Sequence, residues 1–175
     1  GELIPFVKQA NQAGFFEKIK HVMFPVGAAM DVLEGLGDEM PDNVWISGRY
    51  FFLYPNNDRN NGWVESFRKR WDHYPAYVSE TGYSAMYAIK KAVELTRSKE
   101  TVPIVEAMEG MMLDSPAGYR IFRKEDHQAI YDVPWGLTIA DAKYPFKIMG
   151  KQVLIPATEC FNRPPFEGEG TSPPY

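Results

Sequence analysis

The sequence predicts an α/β fold in which a parallel sheet is flanked by helices. Three observations lead there. Over residues 1–52, helical spacing of apolar residues alternates with short apolar runs, in the order helix, strand, helix, strand. Three further helical patterns follow between residues 62 and 110. The pattern then switches to strands from Tyr119 onward.

Leu3, Ile4, Val7 and Ala10 share one helical face, and Gly14 is placed as the C-terminal cap. Pro5 is tolerable because it lies in the first turn. This helix starts at residue one or two, with no strand before it, which is abrupt for an α/β fold. His21 to Val26 reads as a short buried strand closed by Pro25 and Gly27. Ala28 to Leu36 reads as a helix with Met30, Val32, Leu33 and Leu36 as its apolar positions, ended by Gly37 and Pro41. Val44 to Phe52 reads as a strand with Val44, Ile46 and Gly48 on one face and Trp45, Ser47 and Arg49 on the other.

Leu53 to Asn61 holds Pro55, four Asn and Asp58, and is the best linker candidate. Trp63, Val64, Phe67, Trp71 and Tyr74 then line one helical stripe. Ser79 sits where an N-cap belongs, ahead of an apolar surface of Tyr83, Met86, Tyr87, Ala88, Ala92 and Leu95. Thr101 and Pro103 open a third helix that Gly110 ends. Asp114, Ser115, Pro116 and Gly118 form a turn feeding a strand at Tyr119 to Arg123. Gln128 to Val133 is the next strand, with Leu137 to Ala140 and Phe146 to Leu154 beyond it. The tail after Asn162 is rich in proline and glycine and reads as a strap or as disorder.

At 175 residues the chain is one domain or pieces of two. A 45% hydrophobic content and a net charge of -4 fit a globular protein and argue against nucleic acid, which selects clustered Lys and Arg. The densest basic run, Arg68 to Arg70, reads as a solvated helix face. Cys160 is the one cysteine, so no internal disulfide can form. No window is long and apolar enough to span a membrane, and no signal peptide is present.

No catalytic centre is legible. His21, His73 and His127 have no second His or Cys at metal-ligand spacing. Asp126 and His127 are adjacent on a strand pattern and so point to opposite faces, which assigns Asp126-His127-Gln128 to scaffold. Ser84 lies inside a helix pattern, and Gly35, Gly37 and Gly48 match no phosphate loop. Glu34, Asp38 and Glu39 read as an exposed polar edge. An enzyme is the least supported class, with no metal and no cofactor expected. Trp63, Trp71, Tyr83 and Tyr87 have the periodicity of core packing. Tyr50, Phe51, Phe52 and Tyr54 either pack under helices or line an interdomain cleft.

The order of these pieces resembles the periplasmic solute-binding proteins of ABC transporters, in the branched-chain amino acid (leucine/isoleucine/valine-binding) class. The segments carrying the resemblance are FVKQANQAGFF at 6–16, DVLEGLG at 31–37, WVESFRKRW at 63–71, GYSAMYAIKKAVE at 82–94 and PAGYRIFRKEDHQ at 116–128. The resemblance, carried by their order and spacing, covers nearly all of residues 1–160. The resemblance implies a two-lobed fold whose N-terminal half is missing from this chain. Residues 1–53 would belong to the second lobe and 54–131 to the C-terminal part of the first. Residues 132–160 would make the final crossover and return to the second lobe, with 161–175 as a tail. It also implies an extracytoplasmic protein whose signal peptide lies outside this chain, a small-molecule ligand in the interlobe cleft and a membrane permease as partner.

Cleft residues implied by the resemblance are Glu2, beside Gly1, and Phe24, Pro25, Val26 and Gly27. Amino-acid-binding members carry an acidic residue near Val26 to pair with the ligand's ammonium. An apolar loop of Phe24, Pro25 and Val26 suits an aromatic or aliphatic acid, or an amide, better than an ordinary α-amino acid. The competing function is a ligand-sensing domain of a receptor or regulator with the same fold. A third class is a structural or interaction protein built from this half alone. Helices around Trp63 and Tyr83 would leave apolar surface uncovered, so self-association is expected.

Overall fold

The computed structural model of the protein describes residues 2–160. Gly1 and the tail 161–175 lie outside the described residues. The chain opens with α1 (Leu3–Gln12), a short α2 (Phe15–Lys18), β1 (Met23–Phe24), α3 (Met30–Leu36) and β2 (Trp45–Ser47). Three helices follow: α4 (Asp58–Trp71), α5 (Tyr77–Thr96) and α6 (Thr101–Met108). Then come β3 (Met112–Ser115), β4 (Gly118–Phe122), β5 (Ala129–Ile130), β6 (Val133–Ile139), β7 (Ile148–Met149), β8 (Val153–Ile155) and α7 (Ala157–Cys160).

The α/β class and the order of the main helices and strands hold. Among the described residues, parallel pairing holds only for β1 with β2. β6 returns to that sheet against β2, and also carries β7 and β8, all antiparallel. The mixed sheet arises because β6 enters after the α4–α6 segment and runs opposite to β2. A separate antiparallel sheet is ordered β3-β4-β5. Its first strand takes in Asp114 and Ser115, whose residue types predict a turn. Pro116 and Ala117 are in fact the tip of a hairpin, with Ser115 opposite Gly118. Gly118 takes φ +99°, a conformation that suits glycine.

Other boundaries move for local reasons. Gly14 has φ +61°, turning the chain out of α1, but α2 follows at once. The expected linker ends early, because the Asn57 side chain accepts the Asn60 N–H at 2.9 Å and caps α4. α5 begins two residues before Ser79, with Ala76 at its N-cap. Only three residues of the expected Val44 to Phe52 strand pair in the sheet, since the backbone leaves the ladder at Gly48.

The main core lies around β1, β2 and α3. Met30, Val32, Leu33 and Leu36 are all buried, as their spacing requires. Val7 from α1 and Phe146, Ile148 and Met149 complete it. Tyr50, Phe51 and Phe52 are also buried there, and Phe52 packs on Tyr74, Tyr144 and Phe146 with centroids 4.3–6.3 Å apart. For Tyr50, Phe51 and Phe52 packing is the alternative realised, whereas Tyr54 is half-buried and lines a cavity with Arg59, Asp114 and Tyr131. Two chain segments join this core to the α4–α6 and β3–β5 region: the stretch after β2, and the step from β5 to β6.

Candidate functional site

The candidate site is built at the carboxyl ends of β1 and β2. Phe24 lies opposite Ile46 in the parallel pair, so the loops after both strands emerge side by side. The Ala28 N–H donates to the Ser47 carbonyl at 2.9 Å and ties them together. Gly27 permits that approach: a Cβ there would stand 2.5 Å from Ile46 Cγ2 and 2.9 Å from Phe24 Cβ. Open α/β sheets receive ligands just outside this edge.

A cavity of about 360 Å³ sits there, walled by Glu2, Val26, Asp31, Gly48, Arg49 and Tyr77 among others. Of the residues singled out from the sequence, Glu2 and Val26 meet on its wall. Phe24 turns inward and packs edge-on against Phe16 at 6.2 Å. Pro25 is exposed and Gly27 is buried, and neither lines the cavity.

Sequence reasoning missed Asp31, Arg49 and Tyr77. Arg49 carried a usable signal, a charge just beyond a strand's carboxyl end. Asp31 lies in the first turn of α3, one turn beyond the Val26 loop. Tyr77 carried none, because it reaches the cavity from α5, 28 positions further along. Its ring lies 5.4 Å from the Arg49 guanidinium carbon. The wall therefore holds two carboxylates and one guanidinium. Asp31 supplies a carboxylate on the wall where Val26 departs from the acidic residue implied by the resemblance.

Two other polar constellations are structural in geometry. The buried Glu80 carboxylate pairs with the Arg120 guanidinium, and the Ser84 hydroxyl donates to Glu80. Arg120 also reaches Ser115 and stacks on Tyr131 with 4.5 Å to the ring centre. The Tyr50 hydroxyl donates to Asn60 Oδ1 at 2.7 Å, while Asn60 Nδ2 donates to the Phe52 carbonyl at 2.9 Å. Burial, and then the charge of Glu80, push the Tyr50 hydroxyl far above its ordinary pKa, so it stays a donor.

Asp126, His127 and Gln128 form the β4–β5 connection. Arg123 Nε donates to Asp126 Oδ1 at 3.1 Å, and Arg123 Nη2 donates to Gln128 Oε1 at 2.6 Å. His127 takes φ +58° and lies 3.2 Å from Glu109. That is turn architecture, with the two side chains engaged by different partners. Among the described residues, no group of three or more His, Cys, Asp or Glu is arranged to hold a metal ion. No described helix is long and apolar enough to cross a membrane.

The family profile described as "Periplasmic binding protein" matches residues 1–138. No curated protein matches the chain. Solved structures do. An ABC-type branched-chain amino acid transporter protein from Rhodopseudomonas palustris CGA009 is 27% identical, with TM-score 0.70, over 79% of this chain and 37% of its own. A leucine-, isoleucine-, valine-, threonine- and alanine-binding protein from Brucella ovis, in a closed conformation, is 18% identical, with TM-score 0.71, over 93% of this chain and 42% of its own. A solute-binding protein of an ABC transporter from Rhodopseudomonas palustris HaA2, in complex with p-hydroxybenzoic acid, is 16% identical, with TM-score 0.70, over 89% of this chain and 41% of its own. The chain thus spans about two-fifths of the length of these structures. It belongs to the periplasmic binding protein family, and the resemblance read from its sequence holds at the level of family and fold.

Proposed function

We propose that this chain forms part of an extracytoplasmic solute-binding component of an ABC transporter. It supplies one wall of a cleft that takes a small amino-acid-like, aromatic or aliphatic acid. The observation that carries the proposal is the cavity beyond β1 and β2, where Glu2 and Val26 meet. Residues 1–53 and 132–160 form the lobe bearing that wall, and 54–131 belong to the facing lobe. Their division into two sheets, joined by two connections, supports this assignment. Lobe closure over a solute shifts a population between open and closed shapes, and a membrane permease distinguishes them. No bond chemistry is required.

A thermal-shift panel of amino acids and small aromatic and aliphatic acids on the intact protein tests this. Stabilisation that rises with ligand concentration is expected from at least one class. Aromatic acids are expected to outrank leucine and valine, because Val26 offers apolar contact. A flat response to every compound would sink the binding role. Stabilisation by leucine or valine alone would remove the aromatic preference and point to Asp31 or Glu2 as the ammonium partner.

A further inference from the structure

We infer that Arg49 anchors the carboxylate of the solute, an inference that rests on the solute-binding role proposed above. Several observations converge on this one side chain. Gly48 and Arg49 directly follow β2, so the guanidinium stands at the sheet edge where the cavity opens. Gly48 contributes no side chain in front of it; a Cβ there would come within 3.4 Å of Ala28 and of the Tyr50 carbonyl oxygen. The loop is therefore held close to the β1 side, with Arg49 as its first functional group.

The charge environment separates Arg49 from the cations that a carboxylate already neutralises. Lys8, Arg59, Arg120, Arg123, Lys124 and Lys147 each have a carboxylate partner within ion-pair distance. Among the described residues, no carboxylate lies within that distance of Arg49, although Glu2 and Asp31 share its cavity. Its guanidinium rests near the Tyr77 ring instead. Arg68 and Arg70 also lie over rings, but on the exposed side of α4 and away from a strand end. Stacking on an aromatic face leaves the N–H edge of a guanidinium free, and that edge matches a carboxylate in a two-bond fork. Tyr77 comes from α5, so the anchor is assembled from the two parts of the fold. An acid bound to Arg49 would touch both.

The intact protein is titrated calorimetrically with two matched pairs, 4-hydroxybenzoate with 4-hydroxybenzamide and leucine with leucinamide. In each pair the amide removes the carboxylate charge and little else from that end. The wild type should prefer the acid of the binding pair by about tenfold or more, the range for a charge-assisted hydrogen bond. Arg49→Met should abolish that preference, and Arg49→Lys should keep part of it. The unliganded thermal midpoint of Arg49→Met should match the wild type, because the side chain is exposed. Equal binding of acid and amide by the wild type would overturn the anchor and leave the solute-binding role standing. A preference that survives Arg49→Met would do the same. Failure of all four compounds to bind would overturn both.

Discussion

The region around β1, β2 and α3 and the region built from α4–α6 and β3–β5 differ in what fills their interiors. The first buries large apolar side chains, with Leu33 and Ile46 at 0% exposure and Phe51 and Phe52 at 1%. The second buries Ala88, Ala92, Met111 and Leu113 beside Glu80, Ser84, Ser115 and Arg120. Several of its larger apolar residues face outward: Met86, Leu95, Val102 and Tyr119 are each 65% exposed. The first region holds a core of its own, while the second depends on a charged network and leaves an apolar face open. In a two-lobed reading, that face is where α5 and α6 would meet further structure.

Breaking the charged network tests the contrast most strongly. Glu80→Ala should cost about 3–5 kcal/mol in urea unfolding, because it leaves Arg120 buried without its counter-charge. The double variant Glu80→Met with Arg120→Met should recover much of that loss. A double variant no more stable than the single one would show that the network holds the region by more than mutual neutralisation.

Next comes a matched pair of leucines. Leu33→Ala should cost about 2–5 kcal/mol, since the site is closed on all sides. Leu95→Ala should stay within about 0.5 kcal/mol and lower the binding of an apolar dye. A cost at Leu95 comparable with that at Leu33 would mean that this face is covered in solution.

The smallest effect concerns the β4–β5 turn. Its contact with Arg123 holds the Asp126 carboxyl below its usual range, and Lys124 and then His127 do the same for Glu109. Lowered folded-state values mean that their contribution is present above the ordinary carboxylate pKa near about 4 and is lost as pH falls through the folded values. Asp126→Asn should therefore narrow the stability gap to wild type on acidification. Both groups are solvent-accessible, so the change should be slight. A gap that widens toward low pH would contradict the sign.

Much of this molecule was legible along the chain. The apolar spacing of α1 and α3 gave their faces correctly, since a helix's buried side is set by residues three and four apart. Strand extents were overestimated, because runs such as Val44 to Phe52 are apolar for core packing and not for sheet pairing. The β3–β4 hairpin was missed because Asp114 and Ser115 look like turn residues, and Ser115 becomes buried through Arg120 and the Gly118 carbonyl.

At the cavity the same division holds. The sequence by itself determined the family and the order of the main elements, and the resemblance to that family pointed to the loops carrying Glu2 and Val26. The elements follow from local spacing and the family from short motifs in order. Only the tertiary structure decided that Arg49, Asp31 and Tyr77 share a wall with them. Parallel pairing of Phe24 with Ile46 aligns two loops more than twenty residues apart, and the packing of α5 delivers Tyr77 to the guanidinium. Spacing along a chain encodes which face a residue occupies within its own element, whereas the meeting of faces from different elements is fixed by how those elements pack.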